Sequence, residues 1–223
     1  MTERERMDKI LEELGKTYYY AVPQLNFCNP FELLVATILS AQCTDKQVNK
    51  VTAELFKKFP GPADFAALTP EELEPHVKSC GFYRNKAKNI VAAAKMILSD
   101  FGGKVPDNIE DMQKLPGVGR KTANVVLANA FHGDAIAVDT HVYRVTNRLG
   151  LADAKDVWHT EQQLMENIPK EEWSAAHHWL IYHGRQVCSA QRPKCDACTL
   201  KPYCKHPGAY YKVSGKTKKE KQA

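Results

Sequence analysis

Apolar positions recur at helical spacing along almost the whole chain. Asn29-Pro30 offers an N-cap followed by proline at the first helical position, and Phe31, Leu34, Val35, Ile38 and Leu39 then share one face. Thr44 or Asp45 can cap a second helix with the apolar face Val48, Val51, Leu55 and Phe59, and Pro60-Gly61-Pro62 predicts its end. The same spacing predicts helices at about 3–15, 70–77, 83–100, 108–114, 119–131, 140–149, 156–167 and 171–187. The one β-like run, Ala135-Ile136-Ala137-Val138, is short and reads as an extended connector. Leu115-Pro116-Gly117-Val118-Gly119 interrupts the helical pattern, and from residue 188 Cys, Pro and Lys replace it. The fold class expected is all-α, about ten helices ending in a cysteine loop and a basic tail.

Composition narrows this picture. With 223 residues, 43% apolar and 26% charged, the chain can bury a core in one large or two small domains, and collagen-like or wholly disordered classes are excluded. Its longest apolar runs fall short of the roughly 18 residues of a bilayer span, and MTERERMDKI is charged where a signal peptide is apolar. The expectation is a soluble, cytoplasmic protein.

The formal charge of +5 points to an anionic partner, but its distribution says more. Residues 201–223 hold seven Lys against one Glu, leaving 24 basic and 25 acidic residues in the rest. Residues 78–121 carry nine Lys or Arg against four acids, a basic stretch that the total conceals. It leads directly into the hairpin. Glycines at 117 and 119 permit positive φ and leave the amides around Val118 uncovered at a helix start, so several N–H groups can converge on one phosphate. Arg120 and Lys121 favour a nucleic-acid backbone over a plain interhelical turn.

Of seven cysteines, Cys188, Cys195, Cys198 and Cys204 fall within 17 residues. Four such thiolates suit a metal centre. A single CxxC is unlike most structural zinc loops and the spacing matches neither common ferredoxin pattern, so the residues alone leave the metal open.

LPGVGRKTANVVLANAF followed by AVDTHVYRVTNRLGL resembles the endonuclease III branch of the helix-hairpin-helix DNA glycosylases, over about residue 25 through Cys204. The resemblance implies two helical lobes with DNA in a cleft between them: 23–134 as a six-helix lobe with the hairpin, 1–22 plus 135–212 as the lobe carrying the cysteines, and 213–223 as a flexible basic tail. It assigns Lys121 as the nucleophile that attacks the sugar C1′ and forms a Schiff base, and Asp139 as the carboxylate that assists. From its position after an apolar run, Asp139 also reads as an N-cap, a role compatible with catalysis. Partial burial and neighbouring cations are expected to activate Lys121. His141 reads as structural.

The resemblance also gives Gln42 and Phe82 as residues that fill the gap left by an extruded nucleotide. Gly117, Val118, Gly119 and Arg120 contact the backbone, with Arg192 and Lys194 presented to phosphates by the cysteine loop. The resemblance further implies that Cys188, Cys195, Cys198 and Cys204 hold a 4Fe-4S cluster. The implied function is excision of oxidised or ring-saturated pyrimidines from duplex DNA, with strand cleavage at the abasic site, by a monomeric bacterial-type protein associated with the nucleoid. The alternatives are a monofunctional adenine or mismatch glycosylase, or a non-catalytic DNA-binding iron-sulfur module. Lys121 argues against the first, as does a chain that runs only 19 residues past Cys204.

Overall fold

Eleven α-helices, joined by short 3-10 turns, make up the regular structure of residues 1–207, which the computed structural model describes. No β-strand occurs among the described residues, and Ala135–Val138 is a buried extended connector. The basic tail expected at 213–223 lies outside the described residues. The chain divides into two units, Pro23–Ala135 and Met1–Val22 with Ile136 onward.

The Pro23–Ala135 unit is built around α2 (Pro30–Ser40), whose residues 33–39 are all buried. A helix apolar on every side must be surrounded, and α2 packs against α3 (Asp45–Lys58), α6 (Tyr83–Asp100) and α8 (Arg120–Ala130). Each fully buried Leu here contributes about 1.5–3 kcal/mol. The expected caps are present: the Asn29 side chain accepts from Glu32 N at 2.9 Å and Thr44 Oγ1 from Gln47 N at 3.3 Å. Pro60-Gly61-Pro62 both ends α3 and starts another helix, α4 (Pro62–Ala67), because Asp64 Oδ2 accepts the Gly61 N–H at 2.9 Å and proline suits the first turn. Next come α5 (Pro70–Val77), closed by a 3-10 turn at Lys78–Cys80, and α7 (Ile109–Met112), shorter than its sequence pattern.

The other unit joins α1 (Glu3–Thr17) to α9 (Thr140–Leu149), α10 (Val157–Asn167) and α11 (Trp173–Gln186) around Ile10, Leu14, Leu149, Leu164 and Leu180. Buried Arg6 on α1 donates to Leu149 O at 2.6 Å, Gly150 O at 2.7 Å and Tyr203 O at 2.7 Å. The guanidinium thus satisfies carbonyls at the C-terminal end of α9 that the helix leaves without intrahelical donors, and ties α1 to the cysteine loop.

Candidate functional site

The hairpin joins α7 to α8 through Leu115–Gly119, with Val118 N donating to Leu115 O at 3.1 Å and the Val118 side chain buried. Gly117 takes φ +80°, and a Cβ there would lie 2.8 Å from Asn89 Cβ on α6, so only glycine fits. The expected positive φ does not extend to Gly119. It caps α8 in extended backbone at φ −89°, and a Cβ on it would meet nothing within 4 Å. Open space, rather than backbone freedom, is what this second glycine provides over the start of α8. No side chain caps α8, so its first amides remain without a side-chain acceptor.

Lys121 projects from the first turn of α8, exposed, and makes no hydrogen bond or ion pair among the described residues. The partial burial expected to activate it is therefore not supplied by this unit. Arg120 beside it is half-buried.

Asp139 is the N-cap of α9, with Oδ1 accepting from both His141 N and Val142 N at 2.8 Å. Oδ2 takes no hydrogen bond among the described residues. The cap fixes the carboxylate plane while leaving one oxygen for chemistry. The His141 ring turns to Arg144, Nδ1 to Nη2 at 3.2 Å, and burial lowers its pKa, opposed by the charge of Asp139.

Gln42 and Phe82 share an unusual backbone. Among the described residues only Gln42 (φ 53°), Phe82 (φ 46°) and His132 are non-glycine residues with positive φ, a conformation disfavoured for bulky side chains. Both side chains are exposed, Phe82 to 66%. Phe82 is thus a projecting ring, and packing in the core does not explain it.

One residue of the basic stretch is not on the surface. Lys86 is buried on α6, and its Nζ donates to Leu39 O at 2.9 Å, Ala41 O at 2.7 Å and Cys80 O at 2.6 Å. Charge counting could not distinguish it from its neighbours. The clue was its position four residues after Phe82, on the turn that faces inward with Ala87 and Ile90.

Cys188, Cys195, Cys198 and Cys204, none in a disulfide, line one pocket together with Arg148, His183 and Lys194. Burial raises the Cys198 and Cys204 pKa values, and the neighbouring cysteines raise them further. Amides of Leu200 and Lys201 donate to the Cys198 sulfur and oppose this shift. Among the described residues no three Cys, His, Asp or Glu side chains are placed to hold a single metal ion. Arg148, 1% exposed, puts Nη1 3.4 Å from Cys188 Sγ and 2.6 Å from Ser189 O, with Nη2 2.8 Å from Ala190 O. Four residues earlier on α9, Arg144 donates to Cys188 O at 3.0 Å. Neither arginine was singled out by the sequence reading, although their i, i+4 spacing on an otherwise buried helix marks a cationic stripe facing inward. His183 Nε2 lies 3.7 Å from Cys198 Sγ, while Nδ1 lies 3.0 Å from Tyr18 OH. Arg192 and Lys194 are exposed.

The described helices include none long and apolar enough to cross a membrane. A family model described as HhH-GPD superfamily base excision DNA repair protein matches residues 35–170. Endonuclease III of Bacillus subtilis (strain 168) is 50% identical over 206 residues, covering 92% of this chain and 94% of its own length. The Escherichia coli (strain K12) endonuclease III is 42% identical over 206 residues, covering 92% and 97%. A solved structure of a trapped endonuclease III–DNA covalent intermediate, an estranged-adenine complex, superimposes with a TM-score of 0.88 at 48% identity, covering 93% of this chain and 98% of that one.

Proposed function

The chain belongs to the endonuclease III family of HhH-GPD base excision repair proteins, and on that premise we propose how its own residues divide the reaction. It is a bifunctional DNA glycosylase and AP lyase acting on duplex DNA. Lys121 is the nucleophile. Its neutral amine attacks C1′ of the damaged nucleotide as the bond to the base breaks and the base leaves with the electron pair. Ring opening then gives a Schiff base, and loss of a C2′ proton expels the 3′ phosphate by β-elimination. Asp139 Oδ2 stabilises positive charge developing at the sugar and accepts a proton during attack.

The observation that carries this reading is the setting of Lys121: an exposed side chain in the first turn of α8, next to amides no side chain caps, with no hydrogen bond or ion pair among the described residues. Docked nucleic acid, not a protein core, is then what strips water from it. Gly117, Val118, Gly119 and Arg120 hold the backbone, while Gln42 faces the orphaned base and Phe82 replaces lost stacking. Arg192 and Lys194 add phosphate contacts. The substrate class read for the chain is oxidised or ring-saturated pyrimidines, and its setting is the bacterial nucleoid.

The cysteine pocket fits a 4Fe-4S cluster: four sulfurs line one space, and Arg148 with the Leu200 and Lys201 amides offsets thiolate charge. When bound, the cluster supplies four cross-links to a loop that otherwise has only 3-10 turns at Cys195–Ala197 and Lys201–Tyr203. No step of the reaction needs it.

Borohydride reduction with a thymine-glycol duplex tests the nucleophile. The full-length protein should give a covalent complex and Lys121→Gln none; a trapped Lys121→Gln complex would refute the assignment.

A further inference from the structure

We infer that Lys86 is a positioning residue that couples the Gln42 loop to the Phe82 loop, so that the two side chains enter a duplex as one unit. This rests on the roles proposed above for Gln42 and Phe82.

The two loops come from distant parts of the sequence. One leaves α2 through Ser40 and Ala41; the other leaves the 3-10 turn at Cys80 and enters α6 through Gly81 and Phe82. A single nitrogen holds the carbonyls of Ala41 and Cys80, immediately before Gln42 and two residues before Phe82, together with Leu39 O in the last turn of α2. The Lys86 amide N–H also donates to Phe82 O at 3.2 Å, so one residue grips the Phe82 loop from both its backbone and its side chain. Gln47 Nε2 to Ser79 Oγ, 2.8 Å, is a second and exposed link between the same two regions.

Two features make a mere core-filling role an incomplete account. A buried lysine costs desolvation, which lowers its pKa here, and a leucine or methionine would fill the same space without that cost. The carbonyls it satisfies also lie just before two of the three non-glycine residues with positive φ among the described residues. Such conformations persist only where the surroundings over-determine them. An ammonium with three donors directed at three carbonyls does so, and a cation at the C-terminal end of α2 adds favourable charge–dipole energy.

The test separates opening of a paired site from chemistry. Lys86→Met, Lys86→Arg, Gln42→Ala and Phe82→Ala are compared with the parent protein on a duplex carrying thymine glycol opposite 2-aminopurine, whose fluorescence reports loss of stacking. A duplex with a preformed abasic site is the second substrate. Lys86→Met should slow the fluorescence rise and single-turnover excision about tenfold while changing abasic-site cleavage less than about threefold, because an absent base has no stacking to break. Lys86→Arg should be intermediate, since a planar guanidinium cannot aim three donors from one point. Adding Lys86→Met to Gln42→Ala should cost less than the two changes apart, as coupled residues do.

Equal losses on both substrates, parent-like opening, or additive losses would overturn the coupling. If Lys86→Met gives no folded protein, Lys86→Arg decides, and parent-like opening by that variant overturns it. If Gln42→Ala and Phe82→Ala leave opening unchanged, the gap-filling roles fail and the coupling with them; if they slow opening and Lys86→Met does not, only the coupling fails.

Discussion

Arg148 Nη1 and Cys188 Sγ lie 3.4 Å apart in a buried setting where the same guanidinium also holds the carbonyls of Ser189 and Ala190. The arginine thus fixes the first cysteine of the loop from α9, with α10 and α11 lying between them in sequence. Replacing it by Met leaves those carbonyls unsatisfied at about 1–3 kcal/mol each and removes the charge that balances a thiolate. Arg148→Met should melt lower and retain less iron per chain, read by iron assay and by absorbance near 400 nm. Full iron occupancy with an unchanged melting temperature would count against this role.

Asp139 caps α9 through Oδ1, while its proposed role in the reaction falls to Oδ2, so the two functions should separate by substitution. Asparagine keeps an acceptor for His141 N and Val142 N. Asp139→Asn should therefore melt close to the parent yet lose about 10²–10⁴ in excision rate. Alanine removes the cap as well and should cost about 0.5–2 kcal/mol of stability.

The two hairpin glycines should respond oppositely to alanine. At Gly117 a methyl group meets Asn89 and forces a residue with a Cβ to φ +80°, a strain of about 1–2 kcal/mol before any clash. Gly117→Ala should lower the melting temperature. Gly119→Ala meets open space and ordinary backbone, so it should fold normally but bind duplex DNA more weakly. Calorimetry and fluorescence anisotropy on the same pair of proteins would check both outcomes.

His178 sets an acid limit. Burial, reinforced by the charge of His177, pulls its pKa down to about 3, so the folded state keeps it neutral where the unfolded chain protonates it. Above about pH 6.5 neither state binds the proton and nothing is lost. As pH falls from about 6.5 toward about 3 the unfolded state gains a proton that the folded state refuses, and stability declines across that window. His178→Gln should flatten the slope in denaturant titrations between pH 6 and 4; an unchanged slope would show that other groups set it.

The lysines of residues 214–223 should act through salt alone. Deleting that segment should weaken binding to undamaged duplex, and reduce the salt dependence, while sparing excision at saturating protein. Loss of excision at saturation would contradict a purely electrostatic contribution.

Much of the helical architecture was readable because α2, α3 and α6 carry strong apolar periodicity and their caps are local in sequence. Helix α4 was not, since Pro60-Gly61-Pro62 signals a stop and a start with the same residues, and only the Asp64 bond to Gly61 distinguishes them. Lys121, Asp139 and the cysteines stood out through motif and spacing. Lys86, Arg148 and Arg6 did not, because a cation bonded to buried carbonyls has the same one-letter code as one in water. What sets them apart is the position of acceptors 45, 41 or 143 residues away. For Phe82 the left-handed backbone and 66% exposure are information that only coordinates carry.

Arg6 has one further consequence, for synthesis. Its carbonyl partners at Leu149 and Tyr203 lie 143 and 197 residues downstream, so α1 cannot complete these bonds until those distant residues have been synthesised. The continuous Pro23–Ala135 unit, by contrast, has all its contacts available early and can collapse first. Residues 1–22 must wait as an undocked amphipathic segment, and closing so long a loop places their assembly among the slow, high-contact-order steps of folding.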